Sequence, residues 1–308
     1  MGVAAMALLM ATSCESGDKD FGYDGETAVY FSNSGCDRIL ELGEDQEADL
    51  TDDNNHIVNI KAFVAGGYGN SNDVKVDYVI DPALCDGYNI NGAAIDVMPS
   101  NYYEVQNPNQ FTIVSDQLLG GVKVKLTDAF FEDAKSWESG YVIPVKLTKA
   151  EGVSKILSGK DMTFYRVKFV NPWTATYLRK GKDVINGTET HRCFQYVEKA
   201  EVIKVVTKGL NKSQVTVAFK DAAGNAHNVD LLLTFNGDDC TISSNTNGVE
   251  VSGSGKFVKK DQLMGEFKRN TLYLNYNVKS ADLGTIETTD TMVVRNRGIE
   301  FKTFEPKK

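Results

Sequence analysis

Few residues in this sequence have types and spacing suited to chemistry. Gly66-Gly67-Tyr68-Gly69 offers a glycine loop of the sort that cradles phosphate, which needs a strand before it and a helix N-terminus after it. A strand pattern does precede it. Another strand pattern follows, Val74-Lys75-Val76-Asp77-Tyr78-Val79-Ile80, so a hairpin loop is expected instead. Gly253-Ser254-Gly255-Lys256 imitates the end of a phosphate loop, but Phe257 replaces the hydroxyl residue that would hold magnesium and the earlier glycine is missing, so a turn is expected. Asp52-Asp53-Asn54-Asn55-His56 has oxygen ligands for calcium without the glycine or spacing of a calcium loop, which predicts a solvated turn. His56, His191 and His227 stand apart in sequence. A triad assembles in space, yet no nucleophile-elbow pattern starts one here. The 42 acidic residues are too many to single out a glycosidase pair. No catalytic residue, metal ligand or cofactor is assigned.

Aromatic rings carry more information. The chain has 13 Tyr, 15 Phe and 2 Trp, and sugar sites stack apolar sugar faces on exposed rings. Trp137, among Ser136, Glu138, Ser139 and Gly140, is the first candidate for ligand contact. Tyr68 in the glycine loop and Tyr103, which follows Pro99-Ser100-Asn101-Tyr102, come behind it. The competing expectation for each is a ring folded back on its own sheet. Cys36, Cys85, Cys193 and Cys240 form no C-x-x-C pair; one bridge per domain and free half-buried thiols both remain open.

The N-terminus has its own signal. Val3 to Thr12 is apolar, too short to span a bilayer and close in length to a signal-peptide core. It leads into Ala11-Thr12-Ser13-Cys14, small residues before a cysteine, as at the processing site of a bacterial lipoprotein. Cys14 is the expected lipidation site. Lys and Arg are absent before Cys14, which places the expected translation start upstream. Residues 15–26 read as a polar tether whose early acids are similar to the export signal of Bacteroidetes surface lipoproteins. An outer-membrane location facing the cell exterior is therefore expected.

These residues must be positioned by β structure. The net charge of -9, with basic residues scattered, excludes a nucleic-acid face and suits neutral partners such as glycans or proteins. Residues 27–170 read as about seven short strands of an Ig-like β-sandwich, with helices expected at Asp128 to Trp137 and Val153 to Leu157. Pro172 punctuates a boundary, and residues 171–308 read as about eight successive strands of an up-and-down β-barrel. They include Arg192 to Val197, Gly248 to Ser252, Leu272 to Val278 and Thr291 to Phe304. Trp173 is assigned to the floor of the barrel core.

Several segments together resemble a domain of unknown function found in Bacteroidetes lipoproteins: Leu42-Gly43-Glu44-Asp45, Asp52-Asp53-Asn54-Asn55-His56, Met98 to Tyr103, Leu126 to Phe131 and Ile143-Pro144-Val145. The second half, through Trp173 to Gly181, Leu272 to Tyr276 and Val293 to Phe301, is similar to the lipocalin-like barrel that accompanies it. The resemblance implies an all-β protein, often found in polysaccharide-utilisation systems, with no catalytic residues to carry over. The leading expectation is a non-enzymatic glycan-binding lipoprotein beside an outer-membrane uptake complex. An adhesin or other protein-binding partner, a carrier of an apolar ligand in the barrel, and an unrecognised hydrolase are the alternatives.

Overall fold

Period-two alternation in the first half builds two facing sheets. The computed structural model describes residues 25–45, 48–66, 70–193 and 196–308. In chain order the sandwich strands are β1 (Ala28–Tyr30), β2 (Gly35–Glu41), β3 (Ile57–Ala65), β4 (Val74–Val79), β5 (Asn89–Ile90), β6 (Ala93–Ala94), β7 (Tyr103–Val105), β8 (Gln110–Ile113), β9 (Leu119–Leu126), β10 (Tyr141–Glu151), β11 (Lys155–Ile156) and β12 (Met162–Val170). One sheet runs β11-β1-β3-β9-β7 and the other β2-β12-β10-β4-β8. Val58, Ile60 and Ala62 of β3 join Val74, Val76 and Tyr78 of β4 in the core between them. This is the expected Ig-like sandwich.

Tertiary pairing overrides several local expectations. β3 and β4 lie in different sheets and do not pair, so the two strands form no hairpin; most of the glycine loop expected between them, residues 67–69, lies outside the described residues. The turn expected at Asp52–His56 is a short helix, α1 (Thr51–Asn54), and Asp53 is buried there, accepting from Arg38 and, at 2.8 Å, from the Glu41 N–H. The helix expected at Asp128–Trp137 forms as α2 (Asp128–Glu132) and α3 (Lys135–Glu138). Asp133 breaks it, and its carboxylate accepts the hydroxyls of Tyr102 (2.8 Å) and Tyr141 (2.5 Å). No helix forms at Val153–Leu157; Lys155 and Ile156 pair in parallel with Ala28 and Val29.

Tyr141 to Val145 is buried without interruption, as befits a strand covered on both faces. Its outer cover is a second cluster of Cys85, Ile90, Val142 and Phe164, against which Phe304 packs.

The barrel strands are β13 (Ala175–Ile185), β14 (Thr188–His191), β15 (Glu201–Gly209), β16 (Lys212–Lys220), β17 (Ala226–Asn236), β18 (Asp239–Ser244), β19 (Val249–Met264), β20 (Phe267–Ser280) and β21 (Gly284–Asn296). From β15 to β21 each pairs with the next, β13 pairs with both β15 and β21, and β14 extends β13 as a hairpin. The result is a closed eight-stranded, lipocalin-like barrel, the class expected. Three details differ. Arg192–Val197 is not a strand among the described residues, a 3₁₀ turn at Val197–Lys199 standing at its end. Gly253–Lys256 lies inside β19, because bare glycines are needed where β20 crosses close by. A Cβ on Gly253 would sit 2.5 Å from the Tyr276 Cβ, and one on Gly255 2.5 Å from Leu274 Cδ2. The strand expected at Thr291–Phe304 splits after Asn296, and its last part returns to the sandwich as β22 (Lys302–Thr303).

Side chains occupy the lumen, as an eight-stranded barrel permits. At the floor Trp173 stacks flat on Phe235, ring centroids 3.7 Å apart. Val205, Val215, Leu231, Leu233 and Leu274 fill the middle, and Val278 and Ile286 lie toward the far end. One side is ionic. Arg179 and Asp290 are almost fully buried, 3.0 Å apart, with the Tyr276 hydroxyl 2.9 Å from the same carboxylate. Arg192 bonds the other Asp290 oxygen, and Arg179 reaches Glu201 at 3.0 Å. Burial opposes the charge of Arg179, but Asp290, Tyr276 and Glu201 outweigh it and its pKa is raised.

The four described cysteines are free thiols. Burial pushes Cys36 and Cys240 up to about 12 and Cys85 up to about 11.

The chain end ties the units together. β22 pairs antiparallel with β2, as Cys36↔Thr303 and Asp37↔Lys302. Phe304 lies over Gly35, where a Cβ would come within 2.4 Å of its ring, and under the Arg166 guanidinium at 5.2 Å. Lys307 and Asn89 exchange backbone hydrogen bonds of 2.7 and 2.9 Å.

Two outcomes follow from this packing. Phe304→Ala should cost about 1–2 kcal/mol by uncovering part of an apolar face. A chain ending at Gly298 should melt lower still, and a peptide of residues 299–308 should restore part of the loss in a thermal melt. Unchanged melting in both would show that the tail does not hold the sandwich edge. Asp290→Ala should cost about 3–5 kcal/mol in urea unfolding, since it strands two guanidinium groups in a closed barrel. A variant with the wild-type midpoint would contradict the buried pairing.

Candidate functional site

The β19–β20 hairpin is longer than the barrel wall. Pairing is regular to Val258↔Thr271, breaks at a bulge, and resumes as Gln262↔Arg269, Leu263↔Lys268 and Met264↔Phe267. Lys260 takes a left-handed φ of 48° in the bulge, its N–H bonded to Asn270 Oδ1 at 2.9 Å. A bulge bends and re-aims a strand. The arm beyond it folds back on the outer wall. Tyr273, facing outward from β20, bonds Asp261 and, at 2.8 Å, Gln262; Gly265 N–H at the tip donates to Glu198 at 3.0 Å. Leu178, Thr271 and Val293 point away from the lumen by strand alternation, yet all are buried where the arm and the Val197–Lys199 turn meet the wall.

The arm creates two neighbouring hollows that share Arg295. The outer one, about 400 Å³, is shallow and apolar, lined by Leu178, Val202 and Met264 with Glu198 and Arg295. Two rings flank it. Tyr196, 80% exposed, lies two residues before Glu198, and Phe267, 61% exposed, lies two residues after Gly265. The Gly265–Glu198 hydrogen bond brings the segments carrying them together. The inner hollow, about 240 Å³, lies between the barrel and the sandwich loop carrying Glu44 and Asp45. Phe257, Val294, Ala175 and Pro172 form its apolar wall, and Arg269, Arg295 and Arg297 its polar side. Lys259 on the arm reaches Glu44 at 2.8 Å, which holds that carboxyl below its usual range.

Such a surface offers flat apolar faces beside hydrogen-bonding groups, which is the chemistry of ligand recognition. Among the described residues no group of three or more potential ligands gathers for a metal ion. The histidines are engaged locally: His56 against the Phe131 ring at 4.2 Å, His191 with Glu189 at 2.5 Å and His227 with Asp221 at 2.9 Å.

The residues singled out by sequence lie elsewhere. Cys14 and Tyr68 are outside the described residues. Trp137 is not the exposed ring expected. It is half-buried, edge-on to Phe169 at 5.9 Å, with its Nε1 shielded from solvent and unpaired. The polar sequence around it misleads because α3 lies between β12 and β15, and its tryptophan turns inward. Tyr103 is also half-buried against the sandwich core, and burial raises its phenol pKa. Trp173 lies at the barrel floor as expected. Tyr196 and Phe267 were missed. The available signal was a ring beside polar residues and a turn glycine, but what leaves them exposed is the path of the arm. Trp137→Ala should lower stability by about 2 kcal/mol through lost packing, read as a fall in Tm. A variant that melts like the wild type would free Trp137 for a ligand after all.

Comparison with known proteins fits this architecture. DUF5627, a domain of unknown function, matches residues 172–298, and a family described as an N-terminal domain matches residues 23–154. Among curated proteins none matches the chain. A crystal structure of a Bacteroides ovatus protein of unknown function is 34% identical, covers 92% of this chain and 99% of its own, and has a TM-score of 0.84. A second protein of unknown function from Bacteroides ovatus is 11% identical, with coverage of 91% and 99% and a TM-score of 0.46. A two-domain protein of unknown function from Bacteroides fragilis is 14% identical, with coverage of 91% and 92% and a TM-score of 0.29. These last two are too distant to carry an argument. On the identity and coverage of the first structure, the chain belongs to the Bacteroidetes family of unknown function that this structure represents, with a DUF5627 domain as its second half.

Proposed function

We propose that the protein is a non-enzymatic carbohydrate-binding lipoprotein of the bacterial surface, acting beside an outer-membrane uptake complex. The observation that carries the reading is an apolar hollow edged by Glu198 and Arg295, with two exposed rings on the segments that line it: Tyr196, two residues before Glu198, and Phe267, paired with Met264. A sugar has apolar faces that stack on rings and a hydroxyl edge that needs charged or amide partners. A protein interface of comparable strength needs a broader apolar area than this hollow supplies. The barrel supports capture at its outside: a ligand in the lumen would have to displace residues such as Val205, Leu231 and Leu274. The Ala11-Thr12-Ser13-Cys14 sequence supplies the anchor, and the polar residues after it hold the two units clear of the membrane.

A screen of the full chain on an array of plant and host oligosaccharides tests the reading. Binding to a defined subset is expected. Tyr196→Ala and Phe267→Ala should each weaken that binding about tenfold or more, as ring truncations in binding sites do, with Tm unchanged. Full affinity in both variants would remove the rings from the site, and an array without binders would refute carbohydrate recognition.

A further inference from the structure

We infer that the inner hollow is a subsite for an anionic sugar residue, one bearing a carboxylate or a sulfate. The inference rests on the carbohydrate reading above and names the class of ligand.

The protein as a whole is acidic, with a net charge of -9, yet three guanidinium groups, Arg269, Arg295 and Arg297, line this hollow against two carboxylates, Glu44 and Asp45. Glu44 is already paired with Lys259 on the arm, at 2.8 Å. Arg297 faces Glu41 at 3.9 Å, which leaves Arg269 and Arg295 against Asp45, a small cationic surplus. Two of the arginines are also incompletely satisfied: Nε of Arg269 and Nε of Arg297 are shielded from solvent and have no hydrogen-bond partner. A buried donor without an acceptor is costly, so these two guanidinium groups are under-satisfied by the protein itself, and a ligand would meet them through their terminal nitrogens.

The three arginines divide the work. Arg297 is committed to the fold, its Nη1 donating to the Leu42 carbonyl at 3.0 Å and its Nη2 to the Asn171 carbonyl at 2.9 Å. Its side chain is only 10% exposed and faces Glu41 at 3.9 Å, so its charge is largely met from within the fold. Arg269 stands at the root of the folded arm, its guanidinium 5.7 Å from the Phe267 ring centroid. That contact joins the inner hollow to the outer ring platform. Arg295 is exposed and belongs to both hollows, so one oligosaccharide can lie on Phe267 and place its next residue inside. Phe257 and Val294 give that residue an apolar wall. A planar guanidinium presents paired N–H groups that match a carboxylate or sulfate oxygen pair, which a neutral hydroxymethyl group cannot replace. The acidic surface elsewhere repels polyanions in general, so selectivity must come from this local site.

Titration calorimetry with two matched pairs of probes tests the inference: oligogalacturonate against its methyl ester, and dextran sulfate against dextran. The full chain should bind the charged member of one pair at least about tenfold more tightly than the neutral member, a ratio that shrinks as salt is raised. The pair that shows it identifies carboxylate or sulfate as the group recognised. Arg269→Gln and Arg295→Gln should each reduce the ratio severalfold with Tm unchanged; Arg297 is left intact because it joins the two units. Phe267→Ala should instead weaken both members of a pair alike. Equal affinity for charged and neutral members, or a ratio that survives both arginine substitutions, would overturn the anionic subsite and leave the carbohydrate reading standing. If these probes and the array all fail to bind, both readings fall.

Discussion

A buried amide anchors the junction where the two β units meet. Asn171 is fully buried between β12 and β13, and its polar groups are all engaged. Its N–H donates to Thr207 at 3.0 Å, its Nδ2 to the Lys212 and Gly209 carbonyls at 2.8 and 3.1 Å, and its Oδ1 accepts from Thr174 at 3.1 Å. Its own carbonyl accepts from Arg297, which also holds the Leu42 carbonyl of the sandwich. A polar group buried without partners would cost more than the fold gains from it, so this node is stable only when the linker, the β15–β16 hairpin and the end of β21 all meet. The inner hollow exists because these pieces meet beside the Glu44–Asp45 loop.

The arm depends on the same geometry. Its bulge turns the β19–β20 hairpin onto the outer wall, where Thr271, Val293 and Leu178 are buried and the tip at Gly265 meets Glu198. Its root contacts the sandwich through Lys259 and Glu44. A rigid scaffold that presents a few exposed rings and fixed charges is suited to capture, because little conformational freedom is lost when a ligand docks. The filled lumen contributes rigidity instead of capacity.

Much of the strand content was legible. β3, β4, β9, β16, β17 and β20 alternate clearly and form where alternation predicts them. β2 and β18 were missed because Gly-Cys-Asp-Arg-Ile-Leu-Glu and Asp-Cys-Thr-Ile-Ser-Ser carry few apolar residues in period. They are strands because neighbours supply their pairing, β12 for β2 and β17 and β19 for β18. The candidate site was hardly legible. Trp137 and Phe267 both sit beside polar residues, yet one ring packs on Phe169 and the other faces solvent.

What the sequence alone determined is what local physics controls: the all-β class, the hairpin turns at Asn236-Gly237-Asp238 and Ala223-Gly224-Asn225, and the stripe of each regular strand that turns inward. Those depend on side-chain alternation and backbone preference over a few residues. Tertiary structure decided which sheet each strand joins, that β11 is a strand, that β22 leaves the barrel for the sandwich, and that the arm folds back instead of projecting. These choices depend on partners distant in sequence, as Cys36 is from Thr303 and Gly265 from Glu198. The backbone hydrogen bonds and buried area that reward such pairings exist only once the chain has closed on itself.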